Sequence, residues 1–160
     1  MKIREGHFHV MAGEIYITQG AVRLDTTLGS CIAVTAWHEK LRLGAMTHYL
    51  LPEPGHHDKR KPDGYYGQYA LDMVAKALSR RAPLAQFRFG MFGGGSLIGR
   101  DLWDNSVAQR NILFARNWAR RHGVVFVQES VGNSDCRRVS FDLSTGRINV
   151  TVHHMERTEK

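Results

Sequence analysis

Short apolar runs and two-residue alternation dominate the first third of the chain, and both are strand signals. Glu14–Thr18 and Ile32–Trp37 are rich in β-branched and aromatic residues. Leu43–Leu51 is a third such run, in which Gly44 invites a bulge or close packing. Only His38-Glu39-Lys40 and a few neighbours separate the second and third runs, which predicts a hairpin. In that pairing the front of one strand lies beside the end of the other, and Cys31 approaches His48.

The pattern then changes. Pro52 to Gly64 holds three of the four prolines, two glycines and no aliphatic residue, and predicts a long surface loop. Ala70, Val74 and Leu78 repeat every four residues and predict a helix from about Gly67 to Arg81. Gln86 to Phe92 reads as a strand. Gly93-Gly94-Gly95-Ser96-Leu97-Ile98-Gly99 fits no regular element, because successive glycines weaken helix and strand alike. A second helix follows, capped by Asn105 or Ser106, with an inner stripe of Ala108, Ile112, Ala115 and Ala119. Arg116, Arg120, Arg121 and His122 load its C-terminal part, and Gly123 ends it. Val124 to Gln128 predicts a buried strand. Arg138 to Leu143, a Ser144-Thr145-Gly146 turn and Arg147 to His153 predict a closing hairpin. No repeat, heptad or low-complexity tract interrupts this order, so residues 1–160 are expected to form one unit of the α/β class, α+β in type.

Composition adds bounds. A chain of 160 residues buries about 70% of the surface its unfolded form exposes and needs no staples. The 42% apolar and 23% charged fractions are those of an ordinary globule. No apolar run approaches the roughly 20 residues that span a bilayer. The start, Met1 to His7, has no apolar signal region, so a cytoplasmic location without membrane insertion is expected. Cys31 and Cys136 are the two cysteines, too few and too far apart in sequence for a metal-ligand pattern. The formal charge is +7, with an isoelectric point near 9.8. Local clusters at Lys59-Arg60-Lys61 and Arg120-Arg121 lack aromatic interleaving or a helix-turn-helix pattern, so no nucleic-acid partner is expected.

Several residues could carry chemistry. Cys31 follows a glycine-containing turn, Leu28-Gly29-Ser30, and taken alone it also fits a buried cysteine acting as a small hydrophobe. Gly29 permits backbone geometry that turns amide N–H groups toward an approaching carbonyl, and Ser30 adds a hydroxyl. His48 is the group that would hold Cys31 as a thiolate and later protonate a leaving amine. A third group should orient the imidazole, and Asp25, Thr26 and Thr27 all stand within reach in sequence. The run Gly93-Gly94-Gly95-Ser96 lacks the lysine of a phosphate loop and opens no dinucleotide fingerprint. It reads as close backbone packing near the active face or as a substrate-contacting loop, with Gly94 the residue singled out. His56-His57-Asp58 and His153-His154 lack metal-site spacing. Cys136 reads as a loop cysteine beside Asp135, Arg137 and Arg138.

Together these segments resemble the CheD family of chemoreceptor glutamine deamidases. The resemblance rests on Leu28-Gly29-Ser30-Cys31-Ile32-Ala33-Val34, then Gly44-Ala45-Met46-Thr47-His48-Tyr49-Leu50-Leu51-Pro52. It continues through Phe92-Gly93-Gly94-Gly95-Ser96, Gln109-Arg110-Asn111, Val131-Gly132-Asn133 and Phe141 to Arg147. It implies a cysteine-hydrolase-like sandwich of mixed and antiparallel sheets covered by helices. It also implies a Cys-His-Thr-type site with Cys31 as nucleophile and His48 as base. The third position departs from the family pattern: Asp25 stands where members commonly have Thr or Ser, with Thr26 beside it. The implied reaction is hydrolysis of glutamine side-chain amides on methyl-accepting chemotaxis receptors through a thioester, with Gly29, Ser30 and Gly94 near substrate or oxyanion. No cofactor or metal is implied. A CheC-type phosphatase is an implied second partner, and a non-catalytic adaptor of that phosphatase or another Cys-His amidase is the alternative.

Overall fold

The computed structural model describes residues 4–55, 63–96 and 106–154. Eight strands and two helices follow one another as β1 (Arg4–His9), β2 (Ile15–Leu28), β3 (Ile32–His38), β4 (Leu43–Thr47), α1 (Gly67–Ser79), β5 (Arg88–Gly93), α2 (Val107–His122), β6 (Phe126–Val131), β7 (Asp135–Asp142) and β8 (Arg147–His154). They form one mixed sheet of order β6-β5-β3-β4-β2-β7-β8, with β1 paired in parallel to β2. The fold is α+β, as the periodicities predict.

The sheet turns back on itself through β2. Ile15–Gln19 of this strand pair with β4, whereas Arg23–Leu28 pair with β7 on one side, and β1 takes Gly20–Asp25. Only Ile15–Thr18 of this long strand, within the predicted run Glu14–Thr18, stand out in the sequence. Gly20 breaks the alternation there, and the buried series Val22, Leu24, Thr26 and Leu28 includes a polar member. β1 is also absent from the expectation, since Arg4–His9 carries too few apolar residues to announce a strand.

Every residue of β3 is buried because both faces are covered. Ile32, Val34 and Ala36 pack outward against α1 and α2, with Leu71, Val74, Leu78, Ala115 and Trp118. Ala33 and Trp37 pack inward with Val22, Leu24, Leu28, Met46, Phe92, Val139 and Phe141. Thus a helix layer, the β6-β5-β3-β4 part of the sheet, an inner core and the β2-β7-β8 part lie in sequence.

The predicted hairpin of β3 and β4 forms in antiparallel register, from Thr35 opposite Met46 to His38 opposite Leu43. The run Leu43–Leu51 is shorter as a regular strand than expected and ends at Thr47, whose Oγ1 accepts the N–H of Val34 at 3.0 Å. Pairing resumes beyond it as a bridge between Ile32 and Tyr49. The helix stripes are buried as predicted at Ala70, Val74, Leu78, Ala108, Ala115 and Ala119. Ser106 caps α2, its hydroxyl accepting the N–H of Gln109 at 3.1 Å, and Gly123 ends it at φ 66.

Two expectations are corrected. Val124–Gln128 is not a buried strand: β6 starts at Phe126 and is the sheet's outer edge, leaving Val125 72% and Val127 65% exposed. A short apolar run carries no information on whether both of its faces will be covered. Cys136 lies in strand β7 opposite His153 and not on a loop. Both cysteines are free. His56, His57, Asp58, the Lys59–Lys61 cluster, Leu97, Ile98, Gly99 and Asn105 lie outside the described residues.

Candidate active site

Strand parity sets the site. Cys31 precedes Ile32 and shares the inward side with Ala33, and it packs against the inner core. His48 follows Thr47 and shares that side with Met46. The Ile32–Tyr49 bridge, bonded in both directions at 3.0 and 3.1 Å, places Cys31 opposite Leu50 and His48 opposite Ala33. Cys31 and His48 are therefore diagonal neighbours on one face, a relation that separates backbones by about 7–8 Å and side-chain origins by less.

Thr26 reaches the same face from β2. Its hydroxyl donates to the carbonyl of Val10 at 2.7 Å and so accepts from His48 Nδ1 at 2.8 Å. Val10 O also lies 3.4 Å from Nδ1. Both partners of Nδ1 act as acceptors here, so Nδ1 carries the proton and Nε2 keeps its lone pair. The carbonyl of Val10, on the connection between β1 and β2, was not foreseeable from sequence, since a main-chain acceptor leaves no trace in residue type.

Asp25 does not join this group. One residue along a strand turns the side chain to the opposite face, where Asp25 contacts His7. Burial alone would raise its pKa, but the Ser140 hydroxyl, His7 and Arg23 together hold it below the usual carboxylate range. The orienting group that sequence leaves open between Asp25 and Thr26 is geometrically Thr26.

Thr26 is fully buried and His48 nearly so, whereas Cys31 is half-buried. Burial pushes the Cys31 thiol above its ordinary value. Burial also lowers His48; His9 adds to this, while the Val10 bond and Glu14 oppose it. Both shifts are in the direction of the neutral pair, thiol and imidazole. An imidazole with its lone pair on Nε2 can then act as a general base.

The glycine run is close packing. Gly94 N–H donates to Cys31 O and Gly95 N–H to Gly29 O, both at 2.9 Å. A Cβ at Gly93 would stand 2.1 Å from the Cys31 carbonyl oxygen. The Gly94 amide is thus engaged and is not an oxyanion donor. The N–H groups of Ser30 and Cys31 have no backbone acceptor among the described residues. Arg137, buried beneath, donates to the carbonyls of Gly93 and Gly132 at 3.2 and 2.9 Å and fixes this loop.

The family model described as "CheD chemotactic sensory transduction" matches residues 50–152. The chain belongs to the CheD family. It is 34% identical over 152 residues to the "Probable chemoreceptor glutamine deamidase CheD" of Pseudomonas syringae pv. tomato, covering 92% of this chain and 90% of that protein. It is 36% identical over 140 residues to the "Probable chemoreceptor glutamine deamidase CheD 2" of Albidiferax ferrireducens, covering 85% and 81%. A third relative, from Chromobacterium violaceum, is 32% identical over 139 residues. The CheD resemblance read from the motifs is borne out, and the model match begins two residues after His48.

One CheD-site neighbour enters the sequence reading only within the Gln109-Arg110-Asn111 segment, with no role attached to it. Asn111 of α2 is fully buried on the helix's apolar stripe, and its Nδ2 donates to the carbonyls of Ser30 at 3.1 Å and Leu50 at 2.8 Å. The signal available in sequence was an Asn three residues after Ala108 and four before Ala115, inside that stripe. Among the described residues no group of three or more His, Cys, Asp or Glu side chains is arranged to hold a metal ion. No helix among them is long and apolar enough to cross a membrane.

Proposed function

We propose that this CheD-family protein is a cytoplasmic protein-glutamine deamidase acting on chemoreceptors, with Cys31 as nucleophile and His48 as base. The observation that carries the assignment is the shared face of Cys31, His48 and Thr26, with the Thr26 hydroxyl holding Nδ1 at 2.8 Å, so that the lone pair stays on Nε2. The substrate class follows from the relatives, which are named as chemoreceptor glutamine deamidases.

His48 Nε2 removes the thiol proton as sulfur attacks the side-chain carbonyl carbon of glutamine. The carbonyl π pair moves to oxygen, and the N–H groups of Cys31 and Ser30 stabilise the resulting oxyanion, one such donor being worth about 3 kcal/mol. As the C–N bond breaks, His48 gives its proton to the departing ammonia and a thioester remains. Water then loses a proton to the same nitrogen and attacks the thioester. The C–S bond breaks, sulfur regains the proton, and glutamate is released. Thr26 and Val10 hold the imidazole in this tautomer throughout. The excess of positive charge, +7, favours an acidic receptor surface.

The test is incubation of receptor cytoplasmic fragments with wild type and Cys31→Ala, followed by ammonia assay and peptide mass spectrometry. Site-specific amide-to-acid conversion by wild type alone is the expected result, and conversion by the alanine variant would end the proposal. A non-catalytic adaptor of a CheC-type phosphatase would instead give full chemotaxis in a Cys31→Ser strain.

A further inference from the structure

Asn111 joins the two halves of the site from behind. Its carboxamide donates one hydrogen to the carbonyl of Ser30, immediately before Cys31, and the other to the carbonyl of Leu50, which lies opposite Cys31 on the His48 side. Both partners are acceptors, so the Nδ2 and Oδ1 assignment is fixed by chemistry. The Tyr49 hydroxyl donates to the Asn111 carbonyl at 2.5 Å, so main chain and side chain of one residue hold the same segment. Oδ1 itself is buried with no hydrogen-bond partner among the described residues, so the donor end of the carboxamide makes its side-chain bonds.

The Ser30 carbonyl and the Cys31 N–H belong to one planar trans peptide unit and point in opposite directions. Holding the carbonyl toward α2 therefore aims the Cys31 N–H away from α2, and that N–H has no backbone acceptor among the described residues. A hydrogen bond to the carbonyl also polarises the same peptide and strengthens its N–H as a donor. We infer that Asn111 is a positioning residue that orients the Cys31 N–H as the oxyanion donor and fixes the His48-bearing segment against it. This rests on the deamidase reading, and it adds a role on a helix that carries none of the three site side chains.

Two reagents separate this role from general support of the thiol. Acylation of Cys31 by p-nitrophenyl acetate passes through a tetrahedral oxyanion, whereas alkylation by iodoacetamide is a displacement at carbon with none. Both adducts are quantified on the Cys31 peptide by mass spectrometry in wild type, Asn111→Ala and Asn111→Leu, alongside receptor deamidation and thermal unfolding. The expected result is acylation and kcat lower by about 10–100-fold with KM within about threefold and alkylation nearly unchanged. A parallel fall in both reagents, an unchanged ratio, or loss of folding in both variants would overturn the inference, the last because the carboxamide would then be structural alone. Selective loss of acylation with no receptor deamidation by wild type would leave the inference standing and remove the deamidase reading. Deamidation by wild type with an unchanged reagent ratio in the variants would do the reverse.

Discussion

The Thr26 hydroxyl lies 2.8 Å from His48 Nδ1 while donating to Val10 O, so a neutral side chain fixes the imidazole tautomer. An anion in that place would instead stabilise imidazolium, and the lowered His48 pKa fits the neutral arrangement. Thr26→Val keeps the shape and removes the hydroxyl. We expect kcat to fall about 10–100-fold, with a stability loss of about 1 kcal/mol, and Thr26→Ser to restore most of both. Steady-state deamidation and urea unfolding check this, and full activity in the valine variant would remove Thr26 from the site.

Asp25→Asn should leave deamidation within about twofold of wild type, since Asp25 faces His7 across the strand from His48. Its measurable effect is on acid stability. Asp25 titrates below its ordinary value in the folded chain, so its contribution is present above the unfolded carboxylate pKa and disappears as pH falls through the folded one. Melting temperatures of the two proteins should therefore converge in acid.

His48 gives stability a different pH signature. Above the ordinary histidine pKa of 6.5 both folded and unfolded chains hold it neutral. Between that value and the lower folded pKa only the unfolded chain takes up the proton, so stability falls with pH across this window and levels off below it. His48→Gln should flatten this part of the melting-temperature profile. Alkylation of Cys31 should in turn titrate above the ordinary thiol value, because burial disfavours the thiolate.

Gly93→Ala should destabilise the fold by at least about 2 kcal/mol, lowering the melting temperature by roughly 5 °C or more. Gly93 has φ 112, and an added Cβ would meet the Cys31 carbonyl oxygen at 2.1 Å. Differential scanning calorimetry reads this directly, and a wild-type melting temperature would show that the Cys31 turn tolerates displacement.

The sequence by itself determined the type of several elements, the β3–β4 hairpin, the stripes of α1 and α2 and the β7–β8 hairpin, and it singled out Cys31 and His48 as candidates. These signals are local, because side-chain period and turn chemistry are properties of neighbouring residues. Only tertiary structure separated Asp25 from Thr26, since the two are adjacent in sequence but lie on opposite faces of a strand. Tertiary structure alone also brought the Val10 carbonyl and the Asn111 carboxamide to the site, assigned the Gly94 amide to Cys31 O, and left β6 at an open edge. Each of these depends on which distant segment arrives beside a residue, and hydrogen bonds to backbone carbonyls place little demand on the identity of the residue that supplies them.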